Sequence, residues 1–365
     1  MTLERQRMGI ERRKSVSTAI QSAAVAGWDP AAANIFNGAS ILITGATGSF
    51  GKSFIKTLFE RYQPRRVAVF SRDELKQYEM QNDPEFQREE VRFFIGDVRD
   101  ERRLSLALRG VDYVIHAAAL KHVTAAEYNP FECIRTNVLG AENIVHAAIQ
   151  QGVKKVIALS TDKAASPVNL YGASKLASDK IFVAANNLSG ADGTKFAVVR
   201  YGNVVGSRGS VVPFFQKLIA DGADSLPITD TRMTRFWITL QQGVDFVMSS
   251  MAMMNGGEVF VPKIPSMRIP DLAEALAPGM PTHVVGIRPG EKLHEVMVPV
   301  DDARATIELA DRYVIEPVFA WWSRVSYEAQ GAASVPEDFS YSSDKNTAWL
   351  SNQDLREMLG LGAAQ

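Results

Sequence analysis

The chain has 365 residues, 46% of them hydrophobic, and its 40 Lys and Arg residues nearly balance its 41 Asp and Glu residues. This length suits one large α/β domain or a domain with a smaller lobe, and the near-zero net charge argues against a general nucleic-acid or membrane-surface binder. The single cysteine, Cys133, excludes an intramolecular disulfide and a cysteine-based zinc site, which favours the reducing cytoplasm. No apolar run approaches the ~18 residues that span a bilayer.

Residues 1–34 differ from the rest of the chain. Five basic residues and two glutamates come first, and no apolar segment follows them, so a secretory signal is not expected. We expect a flexible N-terminal tail here, as at many chain ends. A regulatory or assembly arm is the alternative.

From residue 35 onward, short runs rich in Val, Ile and Phe alternate with segments of helical spacing. The runs are typical of buried parallel strands and lie at residues 41–43, 66–70, 91–95, 111–116, 155–160 and 196–201. Their alternation predicts a Rossmann-like, doubly wound parallel sheet with helices on both faces. We expect residues 35–202 to form a dinucleotide-binding domain that carries the catalytic residues. Residues 203–365 should form mainly a smaller substrate-binding lobe, interleaved with the end of the main sheet, and a C-terminal extension.

A glycine-rich turn follows the first run directly and opens a helix. Its G-x-x-G-x-x-G spacing lets the backbone turn sharply and approach a pyrophosphate, which the free N–H groups of a helix N-terminus can bind. The strand–turn–helix context predicts a dinucleotide site rather than an ordinary tight turn. The residues expected at the cofactor are Gly45, Thr47, Gly48, Ser49, Phe50 and Gly51.

The end of the second strand bears on which dinucleotide is bound. Sites that prefer NAD usually have an acid about 20 residues past the glycines, where it binds the ribose diol. Here Ser71 and Arg72 stand at the strand tip, and a hydroxyl with a guanidinium suits a 2′-phosphate, so NADP is favoured. NAD is the alternative if Asp73 takes the role of the acid.

The third and fourth strands end in residues that fit the remainder of a dinucleotide. Asp97 and Val98 are expected at the adenine edge, unless Asp97 only caps the following helix. Ala117, Ala118 and Ala119 leave room for the cofactor, although ordinary close packing explains them equally well.

A phenol and an ammonium share one helix face further along the chain. Tyr171 and Lys175 form a Y-x-x-x-K pattern, and a nearby cation lowers the pKa of a tyrosine. A phenol tuned in this way can take a proton from a sugar hydroxyl during hydride transfer. Ligands of such sheets bind beyond the carboxyl ends of the strands, so Thr161, at the end of the fifth strand, should meet this pair.

These motifs together resemble the extended short-chain dehydrogenase/reductase superfamily, which acts largely on nucleotide sugars. Asp162 and Lys163 follow Thr161, where simple epimerases of that superfamily have no such acid–base pair. An elimination of water needs a second base and a proton donor of this kind. The alternative for the pair is a surface salt bridge.

Longer segments resemble one branch in particular, the configuration-inverting UDP-N-acetylglucosamine 4,6-dehydratases of the pseudaminic acid route, which serves flagellin glycosylation. These segments lie at residues 71–76, 93–100, 116–123, 158–165, 200–215, 234–239, 287–295 and 338–350. The resemblance runs from about residue 35 to about residue 359. Departures are few: Ala46 replaces a common glycine and Thr124 a common proline.

The resemblance implies an NADP-dependent hydro-lyase that dehydrates UDP-N-acetylglucosamine and inverts carbon 5. Tyr171, supported by Lys175, would take the 4-hydroxyl proton, and Thr161 would bind that hydroxyl. Lys163 would remove the proton of carbon 5, and Asp162 would protonate the departing 6-hydroxyl. Lys76 and Val204 join the expected cofactor site, and the residues expected at the substrate are Lys121, Asn203, Arg208, Val212, Phe214, Arg235, Arg288 and Glu291.

The sequence also predicts assembly and leaves rival functions open. The helices at residues 130–151 and 171–187 resemble a four-helix dimer contact of the superfamily, so a homo-oligomer is expected. The spacing of His116, His122 and His294 matches no metal motif, so no metal is predicted. The rivals are a non-inverting 4,6-dehydratase, a UDP-sugar 4-epimerase and, in another class, a non-catalytic NADP-binding scaffold.

Overall fold

The computed structural model describes residues 34–207, 210–318 and 327–361. The predicted tail therefore lies outside the described residues except for Asn34, and so does Arg208.

Strands and helices alternate along the first part of the chain, as the sequence predicts. The strands are β1 Ser40–Thr44, β2 Arg66–Ser71, β3 Val91–Ile95, β4 Tyr113–His116, β5 Lys155–Thr161, β6 Lys195–Tyr201, β7 Asn203–Val204, β8 Leu226–Ile228, β9 Thr234–Ile238, β10 Val259–Pro262, β11 Ser266–Arg268, β12 Thr282–Val284, β13 Val296–Val298, β14 Thr306–Glu308, β15 Arg312–Ile315, β16 Ala333–Ser334 and β17 Tyr341–Ser342. The helices are α1 Ser49–Arg61, α2 Glu74–Gln81, α3 Glu101–Ala107, α4 Val123–Tyr128, α5 Pro130–Ile134, α6 Gly140–Gln150, α7 Leu170–Ser189, α8 Val211–Ala220, α9 Leu240–Met253, α10 Ile269–Leu276 and α11 Asn352–Met358. A π-helical turn, Arg135–Leu139, joins α5 to α6.

The main sheet has the strand order β16-β14-β15-β10-β6-β5-β4-β1-β2-β3. Every neighbouring pair from β10 to β3 is parallel, so the predicted Rossmann-like fold is confirmed. The prediction of a parallel sheet is wrong only at one edge, where β15, β14 and β16 pair antiparallel. The short loop between Glu308 and Arg312 allows that hairpin, because antiparallel neighbours need no crossover helix.

The described residues form two large hydrophobic cores and a small third cluster of Ala126, Cys133 and Tyr171. The larger one packs helices on the main sheet and includes residues from both parts of the chain, such as Phe54, Phe182 and Val314. The smaller one lies around Trp237 and Leu272. Strands from beyond residue 202 belong to the main sheet, so the two parts of the chain share one sheet. The predicted lobe boundary at residue 202 stays a prediction.

Within the described ranges, no helix combines the length and the apolar character that crossing a bilayer requires.

Candidate active site

The glycine-rich turn between β1 and α1 has the shape of an anion-binding cradle. Gly45 has φ +67°, and a Cβ there would lie 3.0 Å from the backbone of Ala117 and Ala118. A Cβ on Gly51 would lie 2.4 Å from the backbone of Ala46, so helix and turn approach more closely than a side chain permits. Gly48 caps α1 without a side-chain hydrogen bond, and the first turn carries no acid. The N–H groups at this helix end therefore suit a phosphate.

A small hydrogen-bonded network supports this turn from the strand side. Oγ1 of Thr44 accepts from the backbone N–H groups of Ala117 (3.1 Å) and Ala118 (3.2 Å) and shares a 2.9 Å hydrogen bond with Nδ1 of His116. The Thr47 and Ser71 hydroxyls are 3.0 Å apart. The predicted residues of the β1, β2 and β4 ends thus meet at one edge of the sheet.

Arg72 and Asp73, the residues predicted to select NADP or NAD, differ in their exposure and in their ion pairs. The Arg72 side chain is 53% exposed, and its Nη1 lies 3.7 Å from Oδ2 of Asp97. Asp73 caps α2 by accepting from the N–H of Lys76 (3.0 Å), and it pairs with the Lys76 ammonium at 2.7 Å. The Asp73 carboxylate is therefore occupied by Lys76, whereas the Arg72 guanidinium faces solvent.

Asp97 is held by Arg99. The Arg99 guanidinium donates to Oδ2 of Asp97 at 2.7 and 3.0 Å, and the Arg99 N–H donates to Oδ1 at 3.0 Å. Burial raises the pKa of Asp97, but the bonds from Arg99 outweigh it and lower that pKa. Asp100, not Asp97, caps α3, so the capping alternative for Asp97 is wrong. Val98 is buried beside Gly140.

Tyr171 lies at the start of α7, against the strand end that carries Thr161. Asn169 caps α7 by accepting from the N–H of Gly172 (2.7 Å), and a Cβ on Gly172 would lie 2.2 Å from the Lys163 carbonyl oxygen. Burial raises the pKa of Tyr171 to about 12, while Lys163 and the hydrogen bond with Thr161 lower it in part. The cation with the largest effect on this phenol is thus Lys163 rather than the predicted Lys175.

Asp162 and Lys163 form a contact inside the protein. Nζ of Lys163 donates to Oδ1 of Asp162 at 3.0 Å, and Oγ1 of Thr161 donates to the same oxygen at 2.9 Å. Asp162 is fully buried and its Oδ2 has no hydrogen-bond partner among the described residues, whereas the Lys163 side chain is 24% exposed. The pair is therefore not a surface salt bridge, and only Lys163 keeps part of its surface exposed.

A carboxylate that sequence reasoning missed completes this group. Oε1 of Glu295 lies 3.4 Å from Nζ of Lys163, and the Glu295 carboxylate lies 3.7 Å from both Arg235 and Lys292. We call Asp162, Lys163, Arg235, Lys292 and Glu295 the Lys163 cluster. Burial lowers the pKa of Lys163, but Asp162 and Glu295 more than offset this and raise it. The one sequence feature that could have pointed to Glu295 is the charged run at residues 291–295, which lies within the segment 287–295 that resembles the inverting dehydratases.

A second charged group joins helix α7, which carries Tyr171, to strands β5 and β6. Oγ of Ser160 donates to Oδ2 of Asp179 at 2.8 Å, Nη2 of Arg200 lies 3.4 Å from the same oxygen, and Asp179 acts electrostatically on Lys175. We call these four residues the Asp179 cluster. All four are buried. Burial lowers the pKa of Lys175 and raises that of Asp179.

The predicted nucleotide-binding residues are brought only partly together. Nδ2 of Asn169 donates to the Gly290 carbonyl at 2.8 Å, which places Arg288 and Glu291 beside the start of α7. Arg288 is 62% exposed and lies 3.8 Å from Glu291. The Arg235 guanidinium donates to the carbonyls of residues 234, 292 and 293.

The other predicted substrate residues occupy different settings. Val212 is fully buried in the smaller core, whereas the neighbouring Phe214 is 44% exposed. Asn203 and Val204 form β7, paired with β9, and burial lowers the pKa of Lys121. Among the described residues, no group of three or more His, Cys, Asp or Glu could hold a metal.

Known proteins are similar to this chain over most of its length, including the segments that carry the candidate site. A family model described as "Polysaccharide biosynthesis protein" matches residues 41–317. The chain is 58% identical over 330 residues to a UDP-N-acetylglucosamine 4,6-dehydratase (inverting) of Campylobacter jejuni, covering 89% of this chain and 98% of that protein. It is 39% identical to a UDP-glucose 4-epimerase of Rickettsia canadensis, covering 88% and 95%. The resemblance to the inverting dehydratases is thus confirmed.

Solved structures agree with this grouping. Pen from Bacillus thuringiensis superposes with a TM-score of 0.80 and 36% identity, covering 89% of this chain and 98% of that one. The dTDP-glucose 4,6-dehydratase DesIV from Streptomyces venezuelae, solved with NAD bound, has a TM-score of 0.62 and 25% identity, covering 70% and 86%.

Proposed function

The chain belongs to the polysaccharide biosynthesis protein family, and from that premise we propose that it dehydrates UDP-N-acetylglucosamine at carbons 4 and 6 and inverts carbon 5. The product would be UDP-2-acetamido-2,6-dideoxy-β-L-arabino-hex-4-ulose. One observation carries the proposal: the 3.0 Å contact between Lys163 and Asp162, next to the hydrogen-bonded Tyr171 and Thr161. It supplies two proton-handling groups beyond the phenol that hydride transfer needs.

The cradle between β1 and α1 fits a nicotinamide dinucleotide. Gly45, Gly48 and the start of α1 would hold its pyrophosphate. We propose NADP as the cofactor because the exposed Arg72 can meet a 2′-phosphate, while the Asp73 carboxylate is already paired with Lys76. When bound, the nicotinamide would accept a hydride from carbon 4 and return it to carbon 6.

Lys163 must lose a proton before it can act as a base, because Asp162 and Glu295 favour its ammonium form. Asp162 is placed to take that proton. Breaking an N–H bond of Lys163 and forming an O–H bond on Asp162, across the existing 3.0 Å contact, makes both groups competent at once. The neutral amine removes the proton of carbon 5, and the carboxylic acid protonates the 6-hydroxyl, which leaves as water. The pair then returns to ammonium and carboxylate. Once carbon 6 has regained its hydride, carbon 5 takes up a proton from solvent on the opposite face of the ring, which inverts its configuration.

Tyr171 and Thr161 serve the first step. The ionised phenol of Tyr171 takes the 4-hydroxyl proton, while Thr161 binds that hydroxyl. Because burial raises the pKa of Tyr171 to about 12, the phenol needs positive charge nearby to ionise, and Lys163 supplies part of it. Lys175 is the second cation assigned to this role.

We assign the nucleotide to Arg288, Glu291 and Phe214, with Lys121 and Asn203 as further contacts. We also propose that the enzyme works in the cytoplasm as a homo-oligomer, where its product would be the first intermediate of pseudaminic acid. The free, buried thiol of Cys133 agrees with a reducing compartment.

Incubation with UDP-N-acetylglucosamine and NADP⁺ in D₂O, followed by proton NMR, tests the function. We expect a 6-deoxy-4-ketosugar with deuterium at carbon 5 and the inverted configuration there. An undehydrated sugar epimerised at carbon 4 would contradict the proposal in favour of a 4-epimerase, and retained configuration would identify a non-inverting dehydratase. Tight NADP⁺ binding with no conversion would identify a non-catalytic scaffold.

Binding titrations test the cofactor separately. Wild-type enzyme should bind NADP⁺ more tightly than NAD⁺. Arg72→Ala should weaken NADP⁺ binding about tenfold, the loss of one charge-assisted contact to phosphate, and leave NAD⁺ binding unchanged. Equal effects on both dinucleotides would remove Arg72 from the choice of cofactor.

A further inference from the structure

Glu295 is a buried carboxylate with no role in the proton transfers described above. It is 2% exposed, and within the part of the chain that the structure describes its Oε2 has no hydrogen-bond partner. A buried carboxylate is costly unless cations or donors compensate for its lost hydration. Its compensation comes from Lys163, Arg235 and Lys292, at 3.4 to 3.7 Å.

The backbone holds this carboxylate in a defined place. The Glu295 N–H donates to Oγ of Ser343 at 2.9 Å, and the Ser343 N–H donates to the Glu295 carbonyl at 2.8 Å, directly before β13 begins. The Lys292 ammonium donates to the carbonyl of Ala165 at 2.6 Å, two residues past Lys163. The segment 288–295 is therefore attached both to the segment that carries Lys163 and to the residue that follows strand β17.

Five charged or titratable groups act on Lys163 or share its cluster. Asp162 and Glu295 are its carboxylates, Arg235 and Lys292 are the neighbouring cations, and the Tyr171 phenol interacts with it electrostatically. Asp162 gains and loses a proton during the proposed elimination. The proposed elimination assigns no proton transfer to Glu295.

We propose that Glu295 is a positioning residue for Lys163: its carboxylate holds the ammonium beside Asp162, and it does so from the segment assigned to the nucleotide. The inference rests on the proposed function for the reaction that Lys163 serves. The contact itself is present without substrate, so it can be tested without turnover.

Removing the charge while keeping the shape isolates this role. In Glu295→Gln, the Lys163 ammonium loses one of the two carboxylates that raise its pKa, so the amine releases its proton more readily. Competitive acetylation of the full-length protein with acetic anhydride at pH 9, read by peptide mass spectrometry, measures the reactive amine. We expect labelling of Lys163 to rise about tenfold, which corresponds to about one pKa unit.

Lys154 is the internal reference in the same sample. Its ammonium lies 2.9 Å from the Asp112 carboxylate, and its pKa is set by Asp112 rather than by Glu295 or Glu258, so its labelling should not change. Unchanged labelling of Lys163 in Glu295→Gln would overturn the proposal.

Kinetics separates positioning from a general loss of stability. Glu295→Gln should lower kcat about tenfold with KM little changed, and Glu295→Asp should recover part of that loss. Glu258→Gln is the matched control, because Glu258 is equally buried but accepts from the N–H groups of Asn255 and Gly256, at 2.8 Å each. It should lower the melting temperature without altering Lys163 labelling.

The outcomes distinguish this proposal from the proposed function. Wild-type enzyme that leaves UDP-N-acetylglucosamine untouched, while Lys163 labelling still responds to Glu295→Gln, would refute the function and support the positioning role. A Glu295→Gln enzyme that only melts earlier, with wild-type kcat and labelling, would refute the positioning role alone.

Discussion

The Lys163 cluster and the Asp179 cluster both place a carboxylate near Tyr171, but they differ in access to the surface. The Lys163 side chain is 24% exposed, whereas Asp179 and its partner Arg200 are sealed. Lys163 keeps part of its side chain exposed, while the sealed pair of Asp179 and Arg200 mainly holds the structure that surrounds it. Changes at Lys163 should therefore affect catalysis before stability, and changes at Asp179 or Arg200 should do the reverse.

Lys163→Met should have the largest effect. We expect kcat for dehydration to fall about 10³-fold, because no amine remains to remove the proton of carbon 5. Product formation followed by NMR measures the loss, and NADP⁺ binding should be retained.

Lys163→Arg is the sharper control for the same position. A guanidinium keeps the positive charge between Asp162 and Glu295 but does not release its proton near neutral pH. The same loss of activity is expected. An arginine variant that works at the normal rate would mean that Lys163 acts through its charge alone.

Asp179→Asn should mainly reduce stability. Loss of the carboxylate leaves Arg200 buried without its counter-charge. We therefore expect the free energy of unfolding, measured by urea denaturation, to fall by about 3 kcal/mol. The double variant Asp179→Leu, Arg200→Met should recover most of this. If Asp179→Asn is as stable as wild type, the distinction between the two clusters fails.

His116 gives a smaller effect that depends on pH. Burial and, to a smaller extent, the charge of Lys175 lower its pKa to about 3, so the folded protein holds this ring neutral. The unfolded chain binds a proton at pH values below about 6.5, so stability present above that pH is lost as the pH falls toward 3. From pH 7.5 to pH 5, His116 should account for a loss of about 2 kcal/mol.

Urea unfolding of wild type and His116→Gln at pH 7.5 and pH 5 measures this contribution. The variant should lose about 2 kcal/mol less than wild type between the two pH values. If wild type and variant lose the same stability between the two pH values, His116 takes up a proton in the folded state. The Asp179 cluster would then be no better shielded from solvent than the Lys163 cluster.

The parallel part of the sheet and the glycine-rich turn could be predicted because their signals are local. A run such as residues 66–70 shows its burial in its own composition, and Gly45 and Gly48 stand between a strand and a helix that are adjacent in sequence. The antiparallel edge was missed, because β14 and β16 are too short to show a pattern. The assignments of individual residues to cofactor and substrate stay predictions.

Strand periodicity and turn chemistry act over a few neighbouring residues, so they were enough to predict the Rossmann-like architecture, the family and the residues at the carboxyl ends of the strands. Pairs close in sequence, such as Asp73 with Lys76, also follow from local spacing. The charges that meet from distant parts of the chain could be found only in three dimensions: Arg200 lies beside Asp179, and Glu295 lies beside Lys163. Electrostatic interactions depend on distance through space, and the spacing of two residues along a chain does not set that distance.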